Sequence, residues 1–188
     1  MKWVWIHLAI LGGLCFLNTP VLAGSSVPQT GDRLPEFVLP VPQDASQAAY
    51  LGVAGETFQI SDINAAVVII EIMSMYCPHC QREAPRINGF YEKIASDAAL
   101  KNKVKIIGIG VGNSVFEINF FRKKYAVPFP LFPDADFVIH KQIGEVRTPY
   151  FLGVHLTGPD KGGVFYSQLG GPDDALEFLE KLLESAGL

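Results

Sequence analysis

Val67-Val68-Ile69-Ile70-Glu71-Ile72-Met73-Ser74-Met75-Tyr76-Cys77-Pro78-His79-Cys80 is the stretch on which the reading of this chain turns. Its first part, from Val67 to Met73, is strongly apolar apart from Glu71 and reads as a buried central strand. Two thiols three positions apart follow, a spacing that closes a small disulfide ring at the first turn of a helix. A helix N-terminus carries partial positive charge and free N–H groups, which favour a thiolate on Cys77. The thiolate is the form that attacks disulfides, so the tetrapeptide Cys77-Pro78-His79-Cys80 already proposes a reaction class.

Outward from this stretch, Ile87, Phe90, Tyr91 and Ile94 recur at helical spacing and predict a helix from Cys77 to about Ala99, with Pro85 inside it as a kink. Val104 to Val111 reads as a second buried strand, and Gly112-Asn113-Ser114 as the start of a helix through about Tyr125. A short strand is expected between Pro128 and Pro133 and a short helix from Asp136 to Ile143. Tyr150 to Leu156 and Gly163 to Gln168 predict a hairpin, and Pro172 to Ala186 a closing amphipathic helix with proline at its start. Upstream, Phe37-Val38-Leu39 between prolines reads as an edge strand. Ala49 to Val53 and Thr57 to Ile60 read as a hairpin through Gly55, followed by a helical turn capped at Ser61-Asp62. Strands alternating with helices, then a hairpin and a helix, predict an α/β protein with a layered sheet between helices.

With 188 residues and a net charge of −4, the chain suits one domain with a modest extension and has no basic stripe for nucleic acid. Arg122-Lys123-Lys124 reads as a solvated helix end. Met1-Lys2, the apolar stretch from Trp3 to about Leu17, and Val21 and Ala23 before Gly24 have the layout of a secretory signal peptide over residues 1–23. The alternative is an uncleaved membrane anchor, for which the stretch falls short of the roughly 20 residues of a span. Residues 24–34 read as a flexible leader and 35–188 as the folded domain. Removing residues 1–23 takes away Cys15 and leaves Cys77 and Cys80 as the only cysteines, which is not how a disulfide-stapled scaffold spreads its bridges. A structural bridge across so short a loop would remove little chain entropy. A four-ligand zinc site would have only His79, His140 and His155 to draw on.

The cysteine pair at a strand–helix junction, Pro85 five residues on, Glu71 six residues before Cys77, and Thr148-Pro149 before a strand together resemble the thioredoxin superfamily from about Ala66 to Ala186. Gly31 to Leu39, Phe58 to Asp62 and Phe129 to Asp134 resemble its redoxin branch, and within it the exported TlpA/ResA-type thiol–disulfide oxidoreductases. Two departures stand out: Tyr76 replaces the tryptophan usual before the first cysteine, and Cys-Pro-His-Cys is better known from the oxidising DsbA type.

The resemblance implies a thioredoxin-like fold, a central mixed sheet flanked by helices, with an N-terminal hairpin extension and an inserted αβ unit. It implies that Cys77 is the exposed nucleophile and Cys80 the resolving cysteine, and that Glu71 handles the proton of Cys80. It also implies a cis Pro149 against the disulfide, leaving the Thr148 backbone open to substrate with Tyr76 beside it. A protonated His79 imidazole between the sulfurs would favour the Cys77 thiolate and make the pair more oxidising; the alternative is a solvent-facing side chain with little effect. Implied partners are extracytoplasmic protein thiols and disulfides, apocytochromes among them, and a membrane electron-transfer protein, with the chain in the periplasm or otherwise exported; a monomer is the default expectation, because the C-terminal helix has no heptad long enough to propose a dimer. No dissociable cofactor is expected, because the cysteine pair carries two electrons. Two rival readings are a peroxiredoxin-like peroxidase and a thioredoxin-fold copper-binding protein. The first expects Pro-x-x-x-Thr-x-x-Cys where this chain has Ile70 and Ser74, and the second a Cys-x-x-x-Cys one residue longer.

Overall fold

The computed structural model describes residues 26–171 and 174–188; the signal sequence expected over residues 1–23 lies outside them. In chain order the elements are β1 (Val38–Pro40), α1 (Ala45–Leu51), β2 (Thr57–Gln59), β3 (Val67–Met73), α2 (Pro78–Ser96), β4 (Val104–Val111), α3 (Val115–Lys124), β5 (Leu131–Asp134), α4 (Val138–Gln142), β6 (Tyr150–His155), β7 (Val164–Leu169) and α5 (Ala175–Ala186). A single turn of 3₁₀ helix, Ile60–Asp62, follows β2.

The apolar run Val67–Met73 is buried at every position because β3 has a partner on each edge. It runs parallel to β4 and antiparallel to β6, and the sheet order is β5-β4-β3-β6-β7. Side chains alternate across a strand, so β3 feeds two cores. Val68, Ile70 and Ile72 meet Leu39, Leu51, Phe58 and Ile139 on one side. Val67, Ile69 and Met73 meet α2, α5 and the inner face of α3 on the other. The inward stripe of α2 is Cys80, Ala84, Ile87, Phe90 and Ile94, one helical face that starts at the second thiol.

The N-terminal extension is a two-stranded antiparallel sheet, but its strands are β1 and β2. The strand expected over Ala49–Val53 is instead part of α1 and its C-terminal end. Its caps decide this: the Asp44 side chain accepts the Ser46 N–H at 2.9 Å, and Gly52 closes the helix with φ 71°. A Cβ at Gly52 would come within 2.6 Å of Asn64 Cβ, so glycine serves both the turn and the contact. From α1 the Tyr50 hydroxyl accepts the Ile106 N–H at 2.8 Å. That donor sits on the edge of β4 before β5 begins to pair at Gly108, and it would otherwise be orphaned.

The described part of the expected flexible leader is held in place. Gly31 N–H donates to Val164 O, Val164 N–H to Asp32 O, and Leu34 N–H to Gly162 O, which covers the start of the β7 edge. Ser167 Oγ donates to Pro28 O at 2.6 Å and contacts Tyr150 Oη at 2.8 Å. Gly144, at φ 83°, lets this segment pass: a Cβ there would lie 2.5 Å from Val27 N.

Candidate active site

The site forms where β3 ends. Cys77 is the N-cap residue of α2 and Pro78 is the first helical residue, a position where the missing N–H costs nothing. The Cys77 sulfur accepts the Cys80 N–H at 3.4 Å and lies 3.3 Å from the Thr148 carbonyl oxygen. The Thr148–Pro149 peptide is cis, and Pro149 itself is buried. Both cysteines are free thiols with opposite surroundings: Cys77 is half-buried and Cys80 fully buried.

These surroundings drive the two thiols apart. Burial opposes ionisation of Cys77, but hydrogen bonds involving Thr148, the Cys80 N–H and thiol, and the His79 N–H outweigh it and hold its pKa below the ordinary thiol range. Burial pushes the Cys80 thiol well up, and the nearby Glu71 and Cys77 add to the rise.

Glu71 is only 5% exposed. Alternation along β3 puts it on the face of Val67, Ile69 and Met73, the face against which Cys80 and Ala84 pack. Burial first, then the Glu83 and Cys77 charges, raise its carboxyl to about 8. It is therefore neither an edge glutamate nor one half of an exposed ion pair.

His79 is exposed. Arg82 stands 2.8 Å from His79 Nδ1 and can only donate, so that nitrogen accepts. His79 reaches Cys77 through its backbone N–H. Tyr76 is exposed too, and its hydroxyl donates to Glu117, the residue that completes the capping box of α3 with Ser114. With Phe116 and Phe120 it rims a shallow apolar groove beside Cys77, and a second groove runs from Tyr76 past Phe137 and His140 to Arg147 and Thr148.

Glu83 was not singled out from sequence. It lies one helical turn beyond Cys80, and that i, i+3 spacing is the signal that could have found it. One carboxylate oxygen accepts from Arg86 at 3.0 Å, and the other is buried without a hydrogen-bond partner, with Gly171 closing over it. Among the described residues, no group of three or more His, Cys, Asp and Glu is placed to hold a metal ion, and no helix is long and apolar enough to cross a membrane.

A half-buried thiol at a helix N-cap, a buried one behind it and a cis proline opposite are joined by a family-level match: the AhpC/TSA family model covers residues 30–162. The chain belongs to the AhpC/TSA family. Among the relatives of this AhpC/TSA chain is the thiol-disulfide oxidoreductase ResA of Bacillus subtilis, 28% identical over 116 residues. That match takes in 62% of this chain and spans 56% of the relative's length. Of solved structures, StoA from Bacillus subtilis superposes with a TM-score of 0.56 at 21% identity, covering 78% of this chain and 96% of that one. A secreted Mycobacterium tuberculosis disulfide oxidoreductase homologous to E. coli DsbE gives 0.53 at 20% identity, covering 79% and 95%. These likenesses establish the fold of the AhpC/TSA chain as thioredoxin-like, with its mixed five-stranded sheet and two-stranded N-terminal extension.

Proposed function

We propose that the protein is an exported thiol–disulfide oxidoreductase that exchanges disulfides with extracytoplasmic proteins, cytochrome c maturation being one such setting. The observation that carries this is the asymmetry of the two thiols: Cys77 is reachable and drawn toward thiolate, while Cys80 is buried and held as thiol.

In the reductive direction the Cys77 thiolate attacks a substrate disulfide, forming a mixed disulfide and releasing one substrate thiolate. Cys80 then loses its proton to the Glu71 carboxylate and attacks the Cys77 sulfur. This yields the Cys77–Cys80 disulfide and a second substrate thiolate, two electrons having passed to the substrate. A carboxyl near 8 is poised for this traffic at neutral pH, since both of its protonation states are accessible. The reverse sequence oxidises substrate thiols. A membrane electron-transfer partner restores the pair, and no dissociable cofactor takes part. The groove from Tyr76 to Thr148 and the apolar groove of Tyr76, Phe116 and Phe120 suit an extended polypeptide segment around the substrate cysteine. Export rests on the signal-like layout of residues 1–23 and on the secreted relative.

The test is equilibrium of the pair against glutathione buffers, alongside insulin reduction by the wild type and Cys77→Ser. A potential near or below about −250 mV marks a reductant, and one near about −120 mV an oxidant. A pair that does not cycle, or a Cys77→Ser variant that keeps wild-type activity, overturns the reading.

A further inference from the structure

The segment 74–76 delivers Cys77 to the surface, and both backbone polar groups of Met75 are taken by side chains from elsewhere. The Met75 N–H donates to Asn113 Oδ1 at 2.8 Å, and the Met75 carbonyl accepts from Gln81 Nε2 at 2.8 Å. Asn113 is 0% exposed and lies at the turn between β4 and α3. Its amide nitrogen reaches Ser74 Oγ at 3.4 Å, so the whole side chain serves this one segment. Which end of the amide faces Met75 is dictated by chemistry, because a backbone N–H requires the oxygen. Gln81 reaches back from the first turn of α2, one residue after Cys80.

We propose that Asn113 and Gln81 are positioning residues that clamp the two peptide units flanking the Met75 Cα and thereby set the direction of the Cys77 sulfur. This rests on the reading of Cys77 as the attacking thiol. The sulfur accepts from the Cys80 and His79 N–H groups at the start of α2 and lies 3.3 Å from the Thr148 carbonyl oxygen. Hydrogen bonds weaken steeply once misaligned, so the two N–H contacts serve the thiolate only while the chain entering Cys77 keeps one path. Cys77 N–H to Ser74 O, at 3.0 Å, closes the same turn from within. Two clamps rather than one are needed because the Met75 N–H and C=O belong to adjacent peptide units, and pinning one leaves the other free to turn about the Met75 Cα.

The test is the pH dependence of iodoacetamide alkylation at Cys77 in the reduced full-length chain, followed by mass spectrometry of the Cys77 peptide. Gln81→Ala and Asn113→Ala are each expected to raise the midpoint by about half a unit. The double variant is expected to show less than the sum of the two, since both act on the backbone of one residue, Met75. A folded Gln81→Ala protein with the wild-type midpoint overturns the proposal, as does strict additivity. Should Asn113→Ala fail to fold, Gln81→Ala alone decides, because Gln81 is only half-buried. The readout needs no substrate, so failure of the exchange assays leaves it interpretable.

Discussion

The two faces of β3 come from one seven-residue run and are used in opposite ways. Val68, Ile70 and Ile72 enter a cluster of apolar side chains supplied by β1, β2, α1 and α4. Val67, Ile69 and Met73 share their face with Glu71 and look onto the stripe of α2 that begins at Cys80. The first face has one task, to exclude water. The second tolerates a buried carboxyl because the neutral acid costs far less to bury than the ion, and the price of charging it appears as a raised pKa. Substitutions on the two faces of the same strand are therefore expected to fail in different assays.

The largest expected effect is the pH dependence written into Glu71. Between pH about 4.5 and about 8 the folded chain keeps a proton on Glu71 that the unfolded chain has released. Stability therefore falls as pH rises through that window and levels off above it, by at most about 5 kcal/mol. Glu71→Gln is expected to flatten this slope in chemical denaturation at pH 5 and pH 9, and parallel profiles for the two proteins would refute it.

On the apolar face, Ile70→Ala removes a fully buried side chain and is expected to cost about 2–5 kcal/mol of stability. The exchange rate per folded molecule should not change. A rate loss there would blur the distinction between the faces.

Glu71→Gln should do the converse, slowing the resolution step by about 100-fold at neutral pH while the protein stays folded. Stopped-flow decay of a Cys77 mixed disulfide measures it, and unaltered decay would leave Glu71 without its role as base.

Least affected is Tyr76→Phe, which deletes an exposed hydrogen bond to Glu117 and is expected to leave the thermal unfolding midpoint close to that of the wild type.

Much of this was legible in the sequence because it depends on local pattern. Val67–Met73 and Val104–Val111 are apolar runs in which Glu71 and Lys105 are the only charged residues, and both are strands over those same limits. Cys77 meets the Thr148 carbonyl, the Thr148–Pro149 peptide is cis, and Glu71 acts electrostatically on the buried Cys80. Ala49–Val53 misled because a short Ala-Tyr-Leu run is ambiguous: the N-cap at Asp44 lies outside it, and Gly52 within it ends a helix and does not continue a strand. Residues 27–34 look flexible by composition, yet they are held largely through backbone groups on β7, which no side-chain pattern reveals. Asn113 reads as part of a helix start, and its partners at Ser74 and Met75 are nearly forty positions away. Only the parallel pairing of β3 with β4 brings them together.

The close passage of Val27 over Gly144 has a consequence for where the N-terminal side of the described chain enters the fold. Gly144 stands four residues before Thr148, a span of at most about 14 Å of chain. A second thiol protein fused ahead of Ser26 through a linker would therefore meet Cys77 as an intramolecular neighbour, at a local concentration set by linker length and not by bulk supply.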